Sequence, residues 1–286
     1  MRFTKMHGCG NDYIYVCTVT EMVPEEIRPD LAVRLSDRHK GIGSDGIIFI
    51  NPADNADFEM EMYNADGSRS QMCGNGIRCV GKYVYDHRLT DKTDVEILTG
   101  AGVKRLSLEV DINKNEVVEA TVDMGAPILE AAKIPVDIDG VKGDDRVVSV
   151  PVDINDRGYN ITCVSMGNPH CVIFMDEDVN SLKIEEIGPA IEHSVIFPEK
   201  VNAEFINVVD RGHLRMRVWE RGSGETLACG TGACASAVAG VLNGVSDTEV
   251  DIKLLGGELH IRCDENLGPV YMTGPAVTVF EGEVDI

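Results

Sequence analysis

Positive charge is scarce in this chain. Its 286 residues carry 26 Lys and Arg against 48 Asp and Glu, for a net charge of −22. A surface that acidic repels nucleic-acid phosphates and anionic lipid, and this excludes nucleic acid and membrane as partners. A secretory leader is also missing, since no basic segment followed by an apolar run opens the sequence. One long uncharged stretch, 226–246, covers 21 residues but is broken by Gly230, Gly232, Gly240, Asn243 and Gly244. A helix beginning near Gly232 leaves too few apolar residues to cross a bilayer, so a buried helix is expected there. The chain is therefore read as cytoplasmic. In that compartment its nine Cys, an odd number, should be reduced thiols and not a disulfide framework. No C-x-x-C occurs, which argues against a dithiol redox protein. The spacings Cys73-x5-Cys79 and Cys229-x4-Cys234 do not suit a zinc ribbon, even with His7, His39 or His170 recruited. No metal is expected.

What is present is enough apolar sequence, 43%, to build real cores, and a length that suggests two domains. Short runs rich in strand formers lie at 13–16, 46–50, 59–63, 95–98 and 105–110, and again at 171–175, 215–219, 250–254, 259–263 and 277–280. Helical spacing marks 25–38, through Ile27, Leu31 and Leu35, and a second stretch through Ile77, Val80, Val84 and Tyr85. The segment 125–152 is turn-rich, and a domain boundary is expected between 120 and 130.

The chain also repeats itself. Cys73 opens C-G-N-G-I-R-C and Cys229 opens C-G-T-G-A-C, each ahead of a helical pattern. Upstream lie M-H-G-C-G-N-D and M-G-N-P-H, each leading into a strand. The step from Asn11 to Cys73 is 62 positions, and that from Asn168 to Cys229 is 61. Two such motifs at matched spacing point to two related halves facing each other.

A Cys in Cys-Gly-x-Gly ahead of a helix meets unpaired N–H groups and the positive end of the helix dipole, which favour an anion and should lower the thiol pKa. The glycines let the backbone approach a substrate carboxylate closely. The other seven cysteines lack this setting and read as buried structural thiols. Two activated cysteines on opposite lobes suit the inversion of a carbon stereocentre. One thiolate removes a proton from one face while the other thiol delivers a proton to the opposite face. No cofactor is needed if helix N-termini stabilise the carbanion.

Seven segments then carry a family resemblance. They are K-M-H-G-C-G-N-D-Y from Lys5, G-I-G-S-D-G from Gly41, Y-N-A-D-G-S from Tyr63 and M-C-G-N-G-I-R-C from Met72. The others are M-G-N-P-H from Met166, V-N-A-E-F from Val201 and W-E-R-G-S-G-E-T-L-A-C-G-T-G-A-C from Trp219. Over its whole length the chain resembles the diaminopimelate epimerases. The resemblance implies a mixed α/β (α+β) fold of two pseudo-symmetric domains, each a barrel-like β-sheet wrapped around a central helix. It puts an N-terminal lobe at 1–124, joined by a returning strand at 275–286, and a C-terminal lobe at 125–274, with the active site in the cleft between them. It implies conversion of LL-2,6-diaminopimelate to the meso isomer for lysine and peptidoglycan synthesis, without pyridoxal phosphate, by a homodimer. Cys73 and Cys229 would be the acid/base pair. Gly74, Asn75, Gly230 and Thr231 would hold the reacting carboxylate at the two helix starts. Asn11, Asn64, Asn168, Asn202, Glu220 and Arg221 would hold the amino and carboxylate groups, Arg221 through a bidentate fork. His170 is left between assisting and structural roles. Cys9 stands where an aliphatic residue is common, and Gly46 occupies a variable position. The nearest rival is a proline racemase or hydroxyproline epimerase, which carries His where Asn75 stands and lacks the Glu-Arg pair. A thiol or zinc-binding protein without catalysis is the rival of another class.

Overall fold

The computed structural model describes all 286 residues. The chain divides into two compact units, one made of Met1–Asp123 and Thr273–Ile286, the other of Met124–Met272. The first unit opens with strands β1 (Arg2–Gly8) and β2 (Asn11–Cys17). Cys9 and Gly10, both at positive φ (53° and 82°), join them in a two-residue hairpin turn. Helix α1 (Arg28–Ser36) follows, then β3 (Gly46–Asn51), β4 (Phe58–Asn64) and the short β5 (Arg69–Ser70). Helix α2 (Gly74–Asp86) leads to β6 (Asp94–Thr99), β7 (Gly102–Asp111) and β8 (Glu116–Gly125). The expected helix at 25–38 shortens to α1 because Pro29 sets its first turn.

The second unit holds β9 (Val150–Ile154), β10 (Arg157–Ser165), β11 (Pro169–Phe174), α3 (Ile184–Glu192), β12 (Asn202–Asp210), β13 (His213–Glu220) and the short β14 (Gly224–Glu225). It continues with α4 (Gly230–Leu242), β15 (Glu249–Lys253), β16 (Glu258–Arg262) and β17 (Val270–Pro275). The last strand, β18 (Val277–Glu283), pairs antiparallel with β1 in the first unit. Residues 226–246 contain α4, and no helix is long and apolar enough to cross a membrane.

Each unit repeats one pairing scheme. In the first, β1/β2 is antiparallel, β2/β3 parallel, β3/β4 antiparallel, β4/β6 parallel and β6/β7 antiparallel. In the second, β10/β11, β11/β12, β12/β13, β13/β15 and β15/β16 run through the same sequence of senses. Each sheet curls about one helix. Residues 74–84 of α2 are buried on every face, and α4 is touched by β10, β11, β12, β15 and β16. Small residues admit the strands to the helix. A Cβ on Gly81 would come within 3 Å of Leu106 and Leu108 on β7. On the outer face of each sheet, α1 or α3 closes a second apolar layer. Leu31 and Leu35 pack with Ile47 and Phe49 in one unit, and Ile184 and Ile191 with Ile173 and Phe205 in the other. A central strand buried on both faces reads as a near-continuous apolar run, as Ile47–Ile48–Phe49–Ile50 does.

Candidate active site

Both motif cysteines are helix N-caps. Cys73 precedes α2 at φ −132°, ψ 119°, and its Sγ accepts the Gly76 N–H at 3.3 Å. Cys229 precedes α4 at φ −118°, ψ 109°, and its Sγ accepts the Gly232 N–H at 3.4 Å. Ser, Thr, Asp and Asn are the residues that capping selects, so helix propensity does not account for cysteine at both positions. The glycine three residues on has a reason in each unit. A Cβ on Gly76 would lie 2.8 Å from Ile48 Cδ1, and one on Gly232 2.7 Å from Glu204 Oε1.

In the first unit, the Cys73 thiol donates to Asn11 Oδ1 at 3.1 Å, and Asn11 Nδ2 donates to Asp45 Oδ2 at 2.7 Å. Arg38 fixes Asp45 in turn, at 2.8 Å. Tyr13, two residues after Asn11, is buried with its phenol in hydrogen-bonding reach of Cys73 and Asn11; burial, then the neighbouring Cys73, pushes its pKa well up. Gly74 and Asn75 form the first turn of α2 and are buried. Asn75 Oδ1 accepts from Arg78 Nη2 at 2.9 Å, and Arg78, fully buried, also donates to Gly74 O at 3.2 Å and Pro275 O at 3.3 Å. Asn64 is the last residue of β4, and its Nδ2 donates to Ser68 Oγ in the turn that follows at 3.0 Å.

In the second unit, Asn168 Oδ1 accepts from His170 Nε2 at 3.0 Å, and His170 Nδ1 lies 2.7 Å from Glu204 Oε1. His170 and Glu204 are both fully buried. Both ring nitrogens of His170 are thereby engaged within the protein. Asn202 is buried with Nδ2 on Pro169 O at 2.7 Å, and its Oδ1 accepts the Arg221 N–H at 2.9 Å. It thus holds the backbone that presents the exposed Arg221 side chain, whose Nη1 reaches Glu199 O at 3.1 Å. Glu220 accepts from Thr226 Oγ1 and lies in hydrogen-bonding reach of the Cys229 thiol. Burial lifts its carboxyl above the ordinary value. Thr231 Oγ1 is 3.5 Å from Cys229 Sγ, and Gly230 begins the buried helix.

The electrostatics of Cys229 overturn one expectation. Burial first, then the charges of Glu220 and Glu204, push its thiol well above the ordinary range. The bonds from Thr231 and the Gly232 N–H favour the thiolate but do not win. The helix start and Glu220 were legible in the sequence; Glu204, and the nearness of both carboxylates to the sulfur, were not.

The structure thus gathers Asn11 with Cys73, and Asn168, Glu220 and Thr231 about Cys229 or its neighbours. Asn64 is engaged in its own turn. Sequence reasoning missed Tyr13, Asp45, Thr226 and Glu204. The signal for Tyr13 was present, since it stands two positions after Asn11 as His170 stands after Asn168.

Comparison with known proteins follows the same motifs. The family model described as diaminopimelate epimerase matches residues 3–130 and 162–279. A diaminopimelate epimerase of Acetivibrio thermocellus is 54% identical over 286 residues, covering 100% of this chain and 99% of that one. One from Methanococcus maripaludis is 51% identical, with full coverage of both. Among solved structures, a probable proline racemase from Agrobacterium radiobacter superposes with a TM-score of 0.70 at 14% identity, covering 100% of this chain and 93% of its own. A phenazine biosynthesis protein from Bacillus anthracis gives 0.70 at 17%, covering 100% and 99%. These two share the fold.

Proposed function

Because this chain belongs to the diaminopimelate epimerase family, we propose that it interconverts LL- and meso-2,6-diaminopimelate with Cys73 and Cys229 as its acid/base pair. The observation that carries the reading is the pair of cysteine N-caps, each on a buried helix inside a sheet of the same strand order. Each helix start offers N–H groups with no partner inside the helix, and these suit the α-carboxylate. As the α-proton leaves, charge spreads onto that carboxylate, and fixed N–H dipoles stabilise it without reorganising. Cys229 is held as the thiol, so it serves as the proton donor. The proton it replaces must go to the other cysteine, which acts as the base once it has given up the thiol proton it holds toward Asn11 Oδ1. After one turnover the two protonation states are exchanged, and proton exchange with solvent once the product has left resets them for the next substrate. The chemistry is acid/base throughout and calls for no pyridoxal phosphate or metal.

Asn11 and Asn168 orient the groups beside the cysteines, and Gly74, Asn75, Gly230 and Thr231 line the two helix starts. Arg221 and Glu220 supply charges for the amino-acid end that is not inverted, with Asn64 and Asn202 as further polar groups; Asn202 acts through the Arg221 backbone. The reading carries with it a cytoplasmic enzyme, in keeping with nine free cysteines, and a homodimer. Exposed Val277, Val279 and Phe280 on β18 suit a contact with a second copy. Light scattering that finds only monomer would remove that part.

The test is incubation with LL-diaminopimelate in deuterated water. Meso product bearing deuterium at one α-carbon is expected. Turnover of proline in preference to diaminopimelate would replace this reading with the racemase one.

A further inference from the structure

The turn that carries Arg221 is held from outside itself. Strand β13 ends at Glu220 and β14 begins at Gly224, with Arg221, Gly222 and Ser223 between them. Each of these three residues has its backbone N–H engaged. The Ser223 N–H closes the turn on Glu220 O at 3.1 Å. The Arg221 N–H goes to Asn202 Oδ1 at 2.9 Å, and the Gly222 N–H goes to Glu192 Oε1 at 3.0 Å. Gly222 stands at φ 78°, a left-handed conformation that glycine adopts readily at the third position of a tight turn. A turn exposed in every residue is thus pinned by two side chains that are each 3% exposed.

Glu192 runs against both helix and core preference. It is the last residue of α3, where the negative end of the helix dipole disfavours an acid. It is also buried, which is costly for a carboxylate unless its oxygens are bonded. Both are: Oε1 takes the Gly222 N–H, and Oε2 takes the indole N–H of Trp219 at 2.8 Å. Burial works to raise its pKa, but the bonds from Trp219 and Gly222, helped by His193 and Lys200, bring the net shift below the ordinary value. Trp219 is in turn fitted between two glycines. A Cβ on Gly188 of α3 would come 2.5 Å from its ring, and one on Gly224 would meet the far edge of the ring at 3.5 Å. Trp219 and Gly222 flank Glu220 and Arg221 in the chain, so one carboxylate grips the backbone on both sides of that pair.

We propose that Glu192 is a positioning residue for recognition of the substrate end that is not inverted: by holding Trp219 and Gly222 it fixes the backbone from which Arg221 projects. The inference rests on the reading that Arg221 meets that end, and it names what sets its aim. A guanidinium fork selects a carboxylate only when its plane is aimed at it. The Arg221 side chain is exposed, so its surroundings do little to aim it, and the direction must come from its backbone. Asn202 holds that backbone at one point, about which the turn could still rotate. Glu192 adds two more, from a helix that packs on both β13 and β14.

The test is a double-mutant cycle in steady-state kinetics on LL-diaminopimelate, with Glu192→Gln and Arg221→Ala as the two changes. Gln keeps the shape but only one acceptor oxygen, so either Trp219 or Gly222 loses its partner. Glu192→Gln alone should lower kcat/KM about tenfold, chiefly through KM, because the bond lost is one to a charged acceptor. In the Arg221→Ala background the same change should cost less than about twofold, since no guanidinium is left to aim. A Glu192 that served only the fold would cost the same in both backgrounds, and equal losses overturn the proposal. So does a wild-type KM in Glu192→Gln. Trp219→Phe keeps a ring between the two glycines and removes the N–H. It stands in if the Gln variant does not fold, and its KM effect should likewise vanish without Arg221. Failure of the underlying reading shows separately: Arg221→Ala would then match the wild type whatever Glu192→Gln does, and the proposal would fall with it.

Discussion

Asn11 is clamped between an acid and a sulfur: its Nδ2 donates to Asp45 at 2.7 Å, and its Oδ1 receives the Cys73 thiol at 3.1 Å. Asp45 fixes which end of the amide points at the sulfur. Asn11→Ala should therefore lower kcat/KM about fivefold, the worth of one hydrogen bond near 1 kcal/mol, with circular dichroism unchanged. Steady-state kinetics that match the wild type would show that the amide does not orient Cys73.

Replacing either cysteine divides the reaction. Cys73→Ala and Cys229→Ala should each abolish epimerisation and leave the fold intact. Elimination of halide from a 3-halo analogue needs only a base, so the variant that retains the base should still release halide. Near-normal epimerisation by either single variant refutes the two-base mechanism.

Specificity should follow the far end of the substrate. A ligand without that end leaves Glu220 and Arg221 facing no partner, and such a mismatch costs ~10^4-fold in kcat/KM. Lysine and alanine should show that loss. Arg221→Lys keeps the charge without the fork and should raise KM and lower kcat. Unchanged diaminopimelate turnover by Arg221→Ala would take Arg221 out of the site.

The two capping turns should differ in tolerance. In Gly76→Ala the added methyl meets Ile48 Cδ1 and Met60 Cε, both ends of flexible side chains, at a cost of about 1–3 kcal/mol in stability. In Gly232→Ala it meets a carboxylate pinned by His170 and the Cys229 sulfur. Gly232→Ala should lose at least about tenfold more kcat than Gly76→Ala, the equivalent of ~1.4 kcal/mol. Equal losses in parallel assays would mean that the Glu204 contact has no special weight.

Stability of the first unit should depend on a buried ion pair. Arg28 on α1 meets Glu61 on β4, with both side chains under 10% exposed, and Tyr63 Oη donates to Glu61 at 2.7 Å. Burial works to raise the Glu61 pKa, but the bonds from Tyr63 and Asn51 and the Arg28 charge outweigh it, so the net shift is downward. A depressed carboxyl contributes stability above its unfolded pKa and loses it as pH falls through the folded one. Glu61→Ala should cost about 3–5 kcal/mol at pH 7, measured by urea unfolding. The gap from wild type should narrow below pH ~4, as Glu61 protonates. A gap constant with pH would mean that the charge is not what is lost.

The motif cysteines were readable because Cys and Gly at a helix start have few structural reasons to be there. The apolar run of β3 was readable for its composition. Other elements hid for stated reasons. Residues 2–8 were absorbed into a motif that looks like a turn, whereas only Cys9 and Gly10 turn. β12 alternates, with Ala203 and Phe205 in the outer core and Glu204 inward toward α4, so its one buried charge passes for a solvent-facing residue. In α3, Pro189 interrupts the helical signal. The raised Cys229 thiol needed carboxylates 25 and 9 positions upstream, Glu204 and Glu220, which only the fold brings near.

The pairing of β18 with β1 has a consequence in time. Residues 124–272 form a unit from one continuous stretch, while the first unit is completed only by residues from near position 283. On a translating ribosome, β1 waits for its partner through some 160 further residues, on the order of ten seconds or more at ordinary elongation rates. During that wait one side of β1 presents unpaired N–H and C=O groups, the kind of edge that recruits other strands. The nascent chain is thus most exposed to misassociation after its first unit has been made and before its last ten residues emerge, and a holding chaperone would act to greatest effect in that window.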